Sequence, residues 1–437
     1  MYDLAVIGAG PAGLEAIHVA LKNNLKVIVF EKEELGGTCL NVGCVPTKTI
    51  LHSACLLNEI KNASKIGINL FSEPNFSWQT VLDRKMEIVN KFTKLLNSTL
   101  SKNLTLVKDE AELFIDGDDI QIFAQDNIYE AKNIIVATGS KPLELKGLEF
   151  DHKFIINSDD IYNLVELPKR MTIVGSGAIG LEWAMILSGF GVNITLIEKA
   201  QALAPNLDID LQKRAERALK VNNIQYFKND YIVNLNNDLI TLNSGVSFET
   251  DCILVAVGRK PVLPKVTING CIEQFILKAD EFGKTELDNV FLVGDAKNDV
   301  MLAHSAANQA RQIMNHILHN KEMTKKLVPS VIYITPEMAG VGLREQDIQQ
   351  DESYIIKKMM ITSLAKSWCD NAMDGIIKVI LKDDLIVGAH VVSKEASALI
   401  SILNIMIDRK IPICEIEDMI FPHPSYAEAI QEVLKNG

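Results

Sequence analysis

Two cysteines, Cys39 and Cys44, stand five positions apart in the stretch GGTCLNVGCVPTK, Gly36 to Lys48. Thiols this close can cycle between a dithiol and a disulfide. On a regular helix, five residues rise about 7.5 Å, whereas a disulfide needs its Cα atoms within about 7 Å. A bridge therefore demands a loosened turn between the two. Gly43 makes such a distortion cheap, and Pro46 suits a break in helical hydrogen bonding. A strained, accessible bridge is the labile kind that passes electrons. The spacing alone leaves open a second reading, two thiols that never pair.

Other residues could act on such a pair. Lys48 follows Cys44 by four positions. Near the end of the chain, FPHPSYAEA places His423 and Glu428 five apart, a histidine and a carboxylate able to share a proton. The remaining cysteines, Cys55, Cys252, Cys271, Cys369 and Cys414, are scattered among apolar neighbours and read as small core residues. An odd, dispersed set in a long chain is no disulfide scaffold.

Two glycine patterns supply a frame for these groups. GAGPAG carries Gly8, Gly10 and Gly13 between an apolar strand and a helical run, and a second strand ends at Glu31. GSGAIG repeats this with Gly175, Gly177 and Gly180, and its second strand ends at Glu198. In each copy the acidic residue lies 23 positions after the first glycine. The first glycine permits the tight turn, the second lets backbone approach a pyrophosphate, and the third lets helix and strand pack closely. The helix N-terminus then offers N–H groups to the phosphates. Two copies imply two bound dinucleotides. Glu31 and Glu198 would accept hydrogen bonds from ribose hydroxyls. A carboxylate at Glu198 suits a free 2′-hydroxyl and repels a 2′-phosphate. The residues after it offer Lys199 but no arginine, so NAD is expected over NADP.

The intervening segments fit a repeated domain. A long helix is expected from about Trp78 to Leu100. NIIVATGS reads as a strand delivering Thr138 and Gly139, and DCILVAVGR as a matching strand delivering Gly258. NVFLVGDA is a strand ending at Gly294 and Asp295. From about Val328 the texture changes to five strand-like runs and two helical ones, an α+β domain. The expected fold is α/β, with two Rossmann-like dinucleotide-binding domains and a C-terminal α+β domain. The expected boundaries are 1–145 with 262–325, then 146–261, then 326–437.

Composition narrows the partners. The 437 residues carry a net charge of −12, which invites neither nucleic acid nor an acidic membrane surface. ALISILNIMI is too short to span a bilayer. MYDLAVIGAG has no basic segment before its apolar stretch, so cytoplasm is the expected location. No metal-ligand pattern stands out.

Together, GGTCLNVGCVPTK, the two glycine patterns, VATGS, AVGRKP, FLVGDA, PEMAGVGL and HPSYAEA resemble one family. It is the class I pyridine nucleotide-disulfide oxidoreductases, flavin enzymes that include dihydrolipoamide dehydrogenase and glutathione reductase. The resemblance implies a redox-active Cys39–Cys44 disulfide. It implies FAD on Gly8, Gly10, Gly13 and Glu31, with Asp295 on the ribityl chain, and NAD on Gly175, Gly177, Gly180 and Glu198. Lys48 and Glu182 would pair beside the flavin, the lysine stabilising negative charge on the reduced ring. Thr138, Gly139 and Gly258 would line the cofactors.

The last domain would be the interface of a homodimer, in which His423, oriented by Glu428, serves the disulfide of the other subunit. A substrate thiolate would attack Cys39, expected to be the more exposed sulfur, and release Cys44 beside the flavin. The resemblance is strongest to dihydrolipoamide dehydrogenase, acting on a small dithiol or on a lipoyl domain of a 2-oxo acid dehydrogenase complex. An NAD(P)H-dependent disulfide reductase of the glutathione reductase type is the alternative, and a docking subunit of such a complex is the alternative from another class.

Overall fold

The first glycine pattern lies at the turn between strand Tyr2–Ile7 and helix α1 (Pro11–Lys22). The structure is a computed structural model that describes residues 1–99, 104–116, 119–268, 271–272, 276–348 and 351–436. The chain divides into two units. One comprises Met1–Ile50, Gln79–Leu143 and Arg259–Lys325; the other comprises Leu51–Trp78, Glu144–Gly258 and Lys326–Gly437.

The first unit is built on a parallel sheet ordered Val290–Leu292, Ala131–Val136, Tyr2–Ile7, Val27–Phe30, Leu104–Val107. Alternate residues feed opposite faces. Leu4, Val6, Val27, Val29 and Ile135 pack into the layer that holds α1 and the helix Ala303–His319. Ala5, Ile7, Ile28, Phe30 and Val136 pack into the other layer. Burial on both faces explains why these strands read as unbroken apolar runs rather than alternating ones. Each leucine, valine, isoleucine or phenylalanine among them contributes about 1.5–3 kcal/mol when fully buried. Helix α2 (Gly37–Asn41) and helix α3 (Cys44–Lys61) follow the second strand, and helix α4 (Trp78–Thr99) follows them.

The second unit repeats the plan. Its parallel sheet is ordered Gln225–Lys228, Asn193–Glu198, Arg170–Val174, Cys252–Val255, Ile155–Ile156. Helix α5 (Ala178–Gly189) starts at the second glycine pattern and is buried from Gly180 to Leu187. Helix α6 (Ile209–Val221) follows the second strand. Antiparallel three-strand hairpins occupy the same place in both copies, just before the strand that pairs with the first. The C-terminal sheet is antiparallel, ordered Ser330–Ile332, Glu337–Gly342, Leu385–Ser393, Ile376–Lys382, Ile355–Met360. Helices Ala396–Asp408 and Glu428–Asn436 close its core. Both Rossmann-like sheets and the C-terminal α+β domain match the expected fold class. Among the described residues, no helix is long and apolar enough to cross a membrane.

Candidate active site

The helix breaks where the cysteine spacing requires it. Helix α2 ends at Asn41, Gly43 lies outside both helices, and α3 begins at Cys44. A Cβ on Gly43 would lie 2.7 Å from the Thr38 carbonyl oxygen, so only glycine fits without a shift. The Asn41 side chain donates to the carbonyls of Leu35 and Gly37 at 3.1 and 3.0 Å, and fixes the incoming loop. The Thr47 hydroxyl donates to the Gly43 carbonyl at 2.6 Å and ties the first turn of α3.

Cys39 and Cys44 are both free thiols, and their side chains are hydrogen-bonded to each other. That bond pushes the Cys39 thiol well above its ordinary range; burial adds to the rise, and the charge of Lys48 opposes it. Cys44, in the first turn of α3, is exposed, whereas Cys39 is half-buried by the loop and helix around it. Cys39 nonetheless lines a cavity of about 550 Å³. Leu14, Ile17, Leu40, Val45 and Leu96 supply apolar walls, and His18 and Lys22 of α1 also border it.

The remaining cysteines divide. Cys252 is buried, Cys55 half-buried, and Cys369 and Cys414 are exposed. The last two are not core residues: each lies on a five-residue helix, Ala365–Cys369 or Ile413–Glu417, with few residues to cover it. The Cys271 side chain lies outside the described residues, as does Leu100.

The two glycine turns are near copies. Gly8 and Gly175 have φ of +97° and +102°, the left-handed region where a Cβ is costly. A Cβ on Gly13 or Gly180 would lie 2.0 or 1.9 Å from the carbonyl oxygen of Gly8 or Gly175. Gly10 and Gly177 cap α1 and α5 without a side-chain hydrogen bond, and a Cβ on Gly177 would meet nothing within 4 Å. An open glycine at a bare helix N-terminus is the cradle a pyrophosphate requires, so the residues fit both dinucleotides.

Glu31 accepts the N–H of Ala9 at 2.7 Å and that of Glu33 at 2.9 Å. Glu198 accepts those of Ser176 at 2.8 Å and Ala200 at 2.7 Å. Each acidic side chain thus first braces its own glycine loop. Thr138 and Gly139 follow strand Ala131–Val136, and Gly258 follows Cys252–Val255; both glycines have positive φ and open space around a Cβ.

Asp295 accepts the Ser140 hydroxyl at 2.6 Å, and Ser140 in turn accepts Arg259 Nε–H at 2.8 Å. Ser140 and Arg259 lie on a paired two-strand ribbon, Ser140–Pro142 with Arg259–Pro261. Sequence reasoning stops one residue short of each, at Gly139 and Gly258. The polar side chain directly after each glycine is the available signal.

His423 is 71% exposed at its side chain, and its Nδ1 donates to Glu428 Oε1 at 2.8 Å. Glu428 Oε2 accepts the Ser425 N–H at 2.8 Å. Burial works against the Glu428 charge, but these two donors bring the carboxyl below its usual range. With Nδ1 committed, His423 Nε2 is left to take a proton. Glu182 is buried on α5 and accepts the Tyr333 N–H at 2.9 Å. Lys48 belongs to the first unit, and Glu182, His423 and Glu428 to the second.

A buried charge cluster lies outside every motif of the sequence. Lys378 and Asp208 are fully buried. The Lys378 ammonium lies 2.7 Å from Asp208, 2.6 Å from Asp210 and 2.5 Å from Glu345. Three carboxylates that could otherwise hold a metal ion converge on this ammonium. Burial opposes its charge, yet the three hydrogen bonds hold Lys378 above its usual range. Asp208 is also the N-cap of α6 and accepts the Asp210 N–H. His390, across the sheet from Lys378, donates to the Leu343 carbonyl at 2.8 Å.

The sequence profile of the pyridine nucleotide-disulphide oxidoreductases matches residues 2–310, and that of their dimerisation domain matches residues 328–434. The chain belongs to the pyridine nucleotide-disulphide oxidoreductase family. The dihydrolipoyl dehydrogenase of Mycoplasma genitalium is 32% identical, covering 100% of this chain and 98% of the relative. That of Bacillus subtilis is 29% identical over 99% of this chain and 97% of its own length. In fold, the chain is similar to LpdA from Mycobacterium tuberculosis, with a TM-score of 0.89, 24% identity and 99% of each chain covered. It is similar also to the flavoprotein disulfide reductase RclA from Escherichia coli, with a TM-score of 0.85, 22% identity and 100% of each chain covered. As a member of this family the protein is a FAD-dependent disulfide oxidoreductase that uses NAD, and its dimerisation domain supports a homodimer.

Proposed function

We propose that the protein is a dihydrolipoamide dehydrogenase, and that the cavity beside Cys39 takes the lipoyl arm. The cavity carries this reading. Its walls are predominantly aliphatic, which suits a hydrocarbon chain ending in a dithiol. Glutathione disulfide brings four carboxylates and would need matching cations; the basic residues bordering the cavity are His18 and Lys22. The full-length similarity to dihydrolipoyl dehydrogenases supports the same choice.

In this reading residues 1–145 and 262–325 bind FAD, 146–261 bind NAD, and 326–437 form the dimer interface. The partner subunit's His423 takes a proton from the substrate dithiol at Nε2, while Glu428 holds the other ring nitrogen. The thiolate attacks Cys39 of the Cys39–Cys44 disulfide, forming a mixed disulfide and releasing Cys44 as a thiolate. The second substrate sulfur attacks the mixed disulfide, closes the cyclic product and frees Cys39. FAD, when bound, supplies the two-electron chemistry that links the reduced Cys39–Cys44 pair to NAD+. Lys48 would stabilise negative charge beside the ring, with Glu182 as the counter-charge the family resemblance implies. Gly8, Gly10, Gly13, Glu31, Thr138, Gly139 and Asp295 hold FAD. Gly175, Gly177, Gly180, Glu198 and Gly258 hold NAD. The natural electron donor is then a lipoyl domain of a 2-oxo acid dehydrogenase complex, in the cytoplasm.

The test compares dihydrolipoamide with NAD+ against glutathione disulfide and coenzyme A disulfide with NADH or NADPH, by stopped flow. Fast dihydrolipoamide-dependent NAD+ reduction is expected. Faster turnover of either disulfide would replace this substrate.

A further inference from the structure

The two glycine patterns differ at a position that is fully buried in both copies. Between the first two glycines stands Ala9 in the first copy and Ser176 in the second. Ser176 is 0% exposed. Its hydroxyl donates to Glu198 Oε2 at 2.6 Å and accepts the N–H of Ala204 at 3.1 Å. Both its hydrogen-bonding roles are thus used inside the protein.

The loop after the second strand needs this support. Ala204 is 2% exposed with φ of +46°, a left-handed conformation that costs a residue with a Cβ. The first copy makes its corresponding turn with Gly36 and Gly37, at φ of +98° and +55°, and ties it by the Gly36 N–H to the Ala9 carbonyl. Glycine makes that turn without strain, and a backbone acceptor suffices. In the second copy an alanine takes the strained conformation, and a side-chain hydroxyl holds it.

Glu198 is held at the same time. Oε2 receives two donors from Ser176, its N–H and its hydroxyl, and Oε1 receives the Ala200 N–H. Oε1 keeps a free lone pair for a ribose hydroxyl. Lys199, the basic residue next to Glu198, lies over the Tyr231 ring at 5.8 Å from its centre. A cation held on an aromatic face is less available to a 2′-phosphate.

The structure assigns Ser176 as a positioning residue for nucleotide selection: its hydroxyl fixes the Glu198 carboxylate and the 199–206 loop in the arrangement that accepts NAD and refuses NADP. This goes beyond the dithiol reading and holds for any thiol substrate. Without the hydroxyl, the buried Ala204 N–H loses its acceptor and the strained turn loses its tie to the glycine loop.

The test is equilibrium binding of NADH and NADPH to the FAD-loaded dimer by titration calorimetry, for wild type, Ser176→Ala and Ser176→Thr. Ser176→Ala is expected to weaken NADH binding about tenfold, equivalent to about 1.4 kcal/mol. NADPH binding should fall by less, so the preference for NADH narrows. Ser176→Thr keeps a hydroxyl and should keep the preference. FAD content should be unchanged, because Ser176 belongs to the second copy. Adding Ala204→Gly to Ser176→Ala removes the strained conformation and should recover part of the NADH affinity. An unchanged ratio of the two affinities in Ser176→Ala, or an equal loss for both nucleotides, would overturn the assignment. Should Ser176→Ala not fold, a preference lost in Ser176→Thr despite its hydroxyl would do the same.

Discussion

The first and second glycine-rich copies share a turn, a helix start and an acidic brace, but the loops that follow the acidic residue lead to different chemistry. After Glu31 the loop runs through Gly36 and Gly37, is tied by Asn41, and delivers Cys39 within the short helix α2 and Cys44 at the start of α3. After Glu198 the loop runs through Ala204, is tied by Ser176, and ends at Asp208, which caps α6 and meets Lys378. The same scaffold therefore carries a close pair of thiols, the proposed redox pair, in one copy and a buried charge cluster in the other. Loops that follow the strands of such sheets are free to diverge because the parallel core does not depend on them.

The sharpest break between the copies is expected from Cys44→Ser. Dithiol oxidation should vanish while FAD stays bound and NADH still reduces ferricyanide. Loss of ferricyanide reduction as well would show that the copies do not divide the work. His423→Ala should lower dithiol oxidation about 10²–10⁴-fold with FAD content intact, and an unchanged rate would remove the base. Glu428→Gln should fall between that variant and wild type, because it keeps a partner for Nδ1 but not the charge.

The charge cluster of the second copy can be tested by stability. Lys378→Met leaves Asp208 buried without its cation and should cost about 3–5 kcal/mol in urea unfolding. A cost below about 1 kcal/mol would mean the cluster does not anchor the loop. Smaller and more selective effects are expected at the third glycines. Gly13→Ala should weaken FAD binding and leave NADH binding intact in protein still loaded with FAD, whereas Gly180→Ala should weaken NADH binding alone. Each overpacks one carbonyl contact, by about 1–3 kcal/mol. Cross-effects would break the independence of the copies.

The smallest effect concerns pH. Burial holds the His390 imidazole below its ordinary 6.5, against the pull of Asp208. The unfolded chain then binds a proton at a pH where the folded chain does not. Stability should fall as pH drops below about 6.5, by no more than about 1.4 kcal/mol per pH unit for one proton. Asp208, despite its burial, is held below its usual range by His390 and Lys378, so its contribution is present above about pH 4 and is lost progressively as pH falls below that. His390→Gln should flatten the slope between about pH 5.5 and 7.5; an unaltered slope would point to another group.

Much of this is legible in the amino-acid sequence. The glycine spacing, the acidic residue 23 positions on and the Cys39–Cys44 interval are local patterns, and each meets a local steric demand: a left-handed turn, a close backbone approach, a broken helix. Strand and helix identity follow from apolar runs because parallel strands bury both faces. The pairing of His423 with Glu428 is legible too, since both lie within one turn of chain and helix.

What the sequence could not determine depends on residues far apart in the chain. Lys378 is an ordinary strand lysine until folding brings Asp208 and Glu345 against it. Ser140 and Arg259, separated by more than a hundred residues, meet at Asp295 only through the paired ribbon. Ser176 is indistinguishable from any small residue between glycines until Ala204 adopts its strained turn above it. Short-range sterics are written in neighbouring letters; burial and the pairing of distant polar groups are set only when the chain closes on itself.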